Sequence, residues 1–163
     1  MVTLEQLLLS RDTRAAFQRN YLETHPGYSL VCLTVQLPGP EKRNDISLAI
    51  GHAGLQALQE RFPGCLLQEK DLETGYEAYF GVRNNPLAVK RITCEVEENH
   101  PLGRLMDIDV VGAAGGVPRE AVGLKARRCL LCGNEVRYCM RAKTHTKDEL
   151  LERIRQMVND YIA

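Results

Sequence analysis

Long apolar runs are missing from this 163-residue chain, so composition offers no segment that could cross a bilayer. The N-terminal stretch MVTLEQLLLSRDTR lacks the basic start of a secretory leader and its apolar run breaks early, so no signal peptide is expected. Internal repeats and low-complexity linkers are lacking too, which leaves one compact domain over residues 1–163 as the expected organisation. Aromatics are scarce at 6 %, and Tyr138 is the only one between Arg119 and Lys147, which argues against a stacking platform for single-stranded nucleic acid. With 44 % hydrophobic and 26 % charged residues the chain is not disordered. A cytoplasmic protein is expected, and its six cysteines then read as thiols or metal ligands before they read as disulfides.

Net charge is absent as well, but the charges are segregated. Residues 69–109 carry nine acidic and five basic side chains, whereas residues 119–147 carry eight basic and two acidic. The basic segment suits a ligand with several phosphates; the plainer reading is a solvated basic face.

Helices are expected at both ends of the chain. Thr3 with Gln6 makes a capping-box pattern, and a second helix is expected from about Ser10 to Glu23. YSLVCLTVQL (28–37) reads as a central strand, and Asn44 or Asp45 can cap the helix bearing Ile46, Ile50, Ala53 and Leu58. FPGCLLQEKD and GYEAYFGVR form an antiparallel pair across DLETG. Residues 87–98 follow a proline that can initiate a helix, while Ile92, Thr93 and Val96 leave a strand open. LMDIDVV is a strand, and KDELLERIRQMVNDYIA is a terminal helix with an apolar stripe. The expected fold is α+β or mixed α/β, a central mixed sheet flanked by helices.

HPLGRLMDIDVVG (100–112) carries the chemistry. In a strand, Asp107 and Asp109 project to one face while Ile108 and Val110 enter the core. Two adjacent carboxylates repel unless a cation neutralises both, and Mg²⁺ does so while bridging to substrate phosphates. The alternative is a pair of solvent-facing aspartates at a strand end. Gly103 would let the backbone approach a ligand, and Arg104 can grip phosphate bidentately. Glycine before an Asp-x-Asp strand resembles the active site of nucleotidyltransferases, although no third carboxylate is identifiable.

The segment RRCLLCGNEVRYCMRAKTH places Cys129 and Cys132 in a CxxC, followed by Cys139 and His145. These four soft ligands could hold a tetrahedral Zn²⁺; a redox pair or buried free thiols are the other readings. His145 could instead accept the proton of an attacking hydroxyl in a basic pocket. Thr146 can cap the terminal helix behind it.

Taken together, HPLGRLMDIDVV, RRCLLCG, CMRAKTH and the PGPEK loop resemble the apo-citrate lyase phosphoribosyl-dephospho-CoA transferases, in order and over nearly the whole chain. The resemblance implies transfer of a prosthetic group from 2′-(5″-triphosphoribosyl)-3′-dephospho-CoA to a serine of the citrate lyase acyl carrier subunit, with release of diphosphate. It implies Asp107 and Asp109 as Mg²⁺ ligands, Arg104 as a phosphate contact, and Arg127, Arg128, Arg141, Lys143 and Lys42 as neutralisers of the triphosphate. His145 would orient or deprotonate the serine. Where relatives tend to carry Arg-Ser-Arg before the histidine, this chain has Arg141-Ala142-Lys143, which loses one bidentate fork. Two alternatives stand beside this one: the same chemistry on the carrier protein of malonate decarboxylase, and a non-catalytic zinc-binding adaptor.

Overall fold

The structure, a computed structural model, describes residues 1–163. It is built around a five-stranded sheet in the order β2-β3-β1-β4-β5, with every ladder antiparallel. The strands are β1 (Ser29–Val35), β2 (Leu66–Leu72), β3 (Gly75–Val82), β4 (Asp107–Gly112) and the two-residue β5 (Gly115–Gly116). Five helices accompany them: α1 (Leu4–Thr24), α2 (Asp45–Arg61), α3 (Pro86–Asn99), α4 (Val136–Ala142) and α5 (Lys147–Ile162). This is the α+β form of the expected architecture, but the sheet is antiparallel throughout rather than mixed, because no parallel crossover connects any two neighbouring strands. None of the helices is long and apolar enough to cross a membrane.

The N-terminal region is one helix rather than two. Thr3 and Gln6 form the reciprocal capping box, and no glycine or proline follows until Pro26 to interrupt the turns. Asn44 caps α2 and Thr146 caps α5, each through a capping box. Residues 87–98 are helical: Pro86 occupies the first turn, where its missing N–H costs nothing, and the Asn85 side chain accepts from the N–H of Leu87.

Strand alternation sorts side chains between two faces. Val31, Leu33 and Val35 of β1, with Ile108 and Val110 of β4, pack on Ile50, Ala53 and Leu58 of α2, Val89 and Val96 of α3, and Ile154 and Val158 of α5. Burying such side chains contributes roughly 1.5–3 kcal/mol each, so this face dominates stability. The opposite face is thinner, with Leu30, Cys32 and Tyr79 covered by Phe17 and Tyr21 of α1. In the β1–β4 register Cys32 lies opposite Asp109 and Thr34 opposite Asp107. The two aspartates therefore project on the α1 side of the sheet, near its β4 edge.

Candidate active site

Asp107 and Asp109 are exposed while Ile108 and Val110 are buried, as the period of two requires. They open into a recess of ≈ 220 Å³ that is also lined by Lys90, Glu97, Arg119 and Arg127. Burial within the recess and the neighbouring Asp107 carboxylate push the Asp109 pKa above its usual value, while Lys90, Arg14 and Arg127 pull it back. Two like charges are thus held together at a strand edge with only partial compensation.

Cations come from α3 and from the segment after β5. Ile108 turns its N–H and C=O away from β1, toward the edge that the two-residue β5 leaves uncovered. Side chains of α3 take the place of a further strand there. Glu97 Oε2 accepts from the Ile108 N–H at 3.2 Å, and Lys90 Nζ donates to the Ile108 carbonyl at 3.2 Å. Lys90 and Glu97 are both only 5 % exposed, so neither charge is tolerable without partners. Glu97 has them: Arg119 Nη1 lies 2.9 Å from Oε1, and Arg127 Nη2 lies 2.5 Å from Oε2. Arg127 also donates to the Met106 carbonyl at 2.7 Å, which ties it to the residue before β4. Burial raises the Glu97 pKa, with Arg127, Lys90, the Ile108 N–H and Arg119 opposing.

A second cavity of ≈ 310 Å³ adjoins the first and shares Arg119 and Arg127 with it. Arg104, Arg128 and Lys125 line it together with Glu98. Desolvation and the nearby Arg127 lower the Arg104 pKa, with Arg119 adding to the effect and Glu98 offsetting it. Arginines crowded at this density favour an anionic ligand.

Five of the sequence-derived residues are thereby assembled: Asp107 and Asp109 in the recess, and Arg104, Arg127 and Arg128 around the basic cavity. Others are placed elsewhere. Lys42 Nζ donates to the Leu37 carbonyl at 2.5 Å, and Lys42 feels Lys147 rather than the aspartates. Arg141 lies in the last turn of α4 and Lys143 is its left-handed cap, and neither lines a wall of the two cavities. Gly103 is buried against α3, where an added Cβ would lie 2.2 Å from the Glu97 carbonyl oxygen. Its small size is required by this packing against α3. His145 is likewise not among the residues that line the recess.

Lys90, Glu97 and Arg119 are the recess residues that sequence reasoning missed. The available signal was the seven-residue spacing of Lys90 and Glu97, which puts both on one helix face beside Val89, Thr93 and Val96. It becomes legible once residues 87–98 are known to be helical.

His145 belongs to a different group. Its ring nitrogen and the sulfurs of Cys129, Cys132 and Cys139 lie within 4.8 Å of one another, a donor set able to hold a metal ion. No disulfide links the six cysteines.

Residues 2–161 match the model of the family described as apo-citrate lyase phosphoribosyl-dephospho-CoA transferase. A relative of that name from Escherichia coli O7:K1 is 38 % identical over 168 residues, covering 99 % of this chain and 91 % of its own length. A Vibrio cholerae serotype O1 protein, described as a "probable" transferase of the same name, is 38 % identical over 170 residues, covering 98 % of this chain and 93 % of its own. A match over nearly the full length, on a chain whose carboxylate strand and arginine-lined cavity meet at one edge of the sheet, means that this protein belongs to the apo-citrate lyase phosphoribosyl-dephospho-CoA transferase family.

Proposed function

We propose that this chain transfers the 2′-(5″-phosphoribosyl)-3′-dephospho-CoA group from its triphosphoribosyl precursor to a serine hydroxyl of the citrate lyase acyl carrier subunit, releasing diphosphate. The observation that carries the reading is the junction of the two cavities: paired carboxylates on one side, arginines on the other, with Arg119 and Arg127 common to both. The serine oxygen attacks the phosphorus nearest the ribose, its proton is released to solvent or to the departing diphosphate, the bond to the diphosphate breaks, and a phosphodiester forms. That is nucleotidyl transfer to a protein hydroxyl, so the chain itself needs no nucleophile.

The carboxylate pair fits Mg²⁺. Both are hard oxygen donors, and burial first, then the adjacent Asp107 charge, raises the Asp109 pKa, so a divalent cation would favour its charged form. When bound, the ion would supply charge stabilisation to the transferring phosphoryl group. Asp107 and Asp109 would hold it. Arg104 and Arg128 would grip the outgoing phosphates. Arg119 and Arg127, already engaged by Glu97, would keep the wall between the two cavities in place. Six free thiols suit a reducing compartment, and the reaction is assigned to the cytoplasm.

The test is the intact mass of apo-citrate lyase acyl carrier protein after incubation with this chain, the triphosphoribosyl donor and Mg²⁺. A gain equal to donor minus diphosphate, lost on chelation and restored by Mg²⁺, is expected. No gain from folded enzyme with verified donor overturns the assignment, and the malonate decarboxylase carrier is then the next acceptor to try.

A further inference from the structure

We propose that Cys129, Cys132, Cys139 and His145 bind one Zn²⁺ in a closed tetrahedral site, and that this ion fixes the segment carrying Arg127 and Arg128 against the recess. The site is separate from the proposed Mg²⁺ position, and the zinc claim does not depend on the transferase reading.

Geometry supplies the first argument. All four donor atoms fall within 4.8 Å of one another. Zinc–sulfur bonds of about 2.3 Å in a tetrahedron put sulfurs just under ~4 Å apart, so the donors need to close up only slightly around an ion. Cys132 Sγ and Cys139 Sγ are already 3.4 Å apart. The Leu131 N–H points to Cys129 Sγ at 3.4 Å, an amide-to-sulfur contact that favours a thiolate ligand.

His145 supplies the second. Its Nε2 is buried without any hydrogen-bond partner, and it is the only buried side-chain nitrogen or oxygen of which this is true. Leaving such an atom unpaired costs about 1–3 kcal/mol. On the other side of the ring, Nδ1 faces the Glu149 carboxylate at 3.9 Å. A carboxylate near Nδ1 favours the tautomer that leaves the Nε2 lone pair free, which is how metal-bound histidines are commonly oriented.

The third argument is what the segment lacks. Between residues 123 and 146 only Cys129 and Cys139 are buried. Helix α4 is seven residues long, and otherwise the stretch is turns and one isolated bridge, Arg128 to Glu135. Such a segment cannot bury enough apolar surface to hold one conformation and needs a staple. A disulfide would use two sulfurs and leave the third cysteine and the histidine unexplained. A tetrahedral ion uses all four. Four protein ligands leave no open position for substrate, so the role is structural.

The consequence for the site follows from adjacency. Arg127 and Arg128 immediately precede Cys129. The Arg127 carbonyl accepts from the Val136 N–H at 2.9 Å, and the Arg128 carbonyl accepts from the Arg104 guanidinium. Fixing the cysteines therefore fixes both arginine backbones and one partner of Arg104.

The experiment is elemental analysis of the untagged chain purified without chelator, combined with hydrogen exchange. About one zinc per chain is expected. Replacement by Co²⁺ should give the intense visible absorption of a tetrahedral thiolate site. Cys132→Ala should lower zinc to near zero, whereas His145→Cys, which preserves four soft ligands, should retain it. In the wild-type chain, zinc removal should abolish amide protection in residues 127–145 while the sheet and α1–α3 stay protected. A metal-free wild-type chain without the cobalt signature overturns the site. So does a disulfide among these cysteines in the chain as purified, detected as a loss of two hydrogens in mass. Unchanged exchange after zinc removal overturns the fixing role. None of these readouts uses the donor or the carrier, so failure of the transferase assignment would leave them unaffected.

Discussion

Asp109 is held in an environment that disfavours its own charge. Burial and Asp107 raise its pKa, so the folded chain takes up a proton at this group more readily than the unfolded chain does. Ionised Asp109 therefore opposes folding. The opposition is fully present above the raised folded-state pKa, fades as pH falls through that value, and is gone below the ordinary value of 3.8. Asp109→Asn should accordingly stabilise the protein at neutral pH. Because the side chain keeps solvent access, screening limits the gain to at most about 1 kcal/mol, or ~2–4 °C in Tm for a domain of this size. The same variant should lose transfer activity if the carboxylate holds Mg²⁺. Melting curves of both proteins from neutral to acid pH check the sign: the gap should close toward low pH, and a lower Tm for the Asn variant at neutral pH would contradict it. The aspartate pair was legible in the sequence because a period of two follows from strand geometry alone. The recess around it was not, since Lys90, Glu97 and Arg119 meet it only through the packing of α3 and the segment after β5.

At the scale of elements, α3 is the piece on which the site depends. It covers the uncovered edge of β4 with charged side chains where a longer β5 would otherwise pair. Its helical state was ambiguous from sequence because Ile92, Thr93 and Val96 are β-branched; the Asn85 cap and Pro86 in the first turn, together with packing on the sheet, decide the matter. The expected break in α1 was overread, because Ser10 is compatible with a helix interior and its hydroxyl reaches Glu77 Oε2 at 3.4 Å. Strands β1 to β4 were recognisable one by one, but the two-residue β5 was not, and the order β2-β3-β1-β4-β5 depends on long-range pairing that local patterns do not encode. Two variants test the dependence on α3. Glu97→Ala would leave Arg119 and Arg127 facing a buried gap and free the Ile108 N–H, at a cost of about 3–5 kcal/mol. Gly103→Ala would press a methyl group into the backbone at the end of the same helix, costing roughly 1–3 kcal/mol. Urea unfolding should show both losses. A near-neutral Glu97→Ala would mean that the buried cluster does not anchor this edge.

Across the whole molecule, a chain of zero net charge gathers cations locally around one cavity. Its acidic stretch includes the β4 carboxylates and its basic stretch lines the adjoining cavity, so the fold converts a segregation along the sequence into a boundary within one site. Composition reveals how many cations the basic stretch holds but not which of them face the cavity. Of the four sequence-derived cations between residues 127 and 143, the structure puts Arg127 and Arg128 on its wall and leaves Arg141 and Lys143 outside. That separation has a kinetic consequence. Arg128→Ala removes an exposed guanidinium without touching the backbone carbonyl that receives Arg104, so the fold should be unaffected. Loss of one charge-assisted phosphate contact is worth about 1.5–3 kcal/mol, which corresponds to a rise of tenfold or more in the KM for the triphosphoribosyl donor. Arg141→Ala and Lys143→Ala should leave that KM within twofold. Raising ionic strength from about 0.1 M to 1 M shortens the screening length from about 10 Å to 3 Å, so the wild-type KM should climb with salt. The dependence should be shallower in the Arg128 variant, because fewer charges then attract the donor. Initial rates for the three variants at low and high salt decide it: equal effects from Arg128, Arg141 and Lys143 would mean that the basic segment acts by net charge alone and that the cavity wall has no special standing.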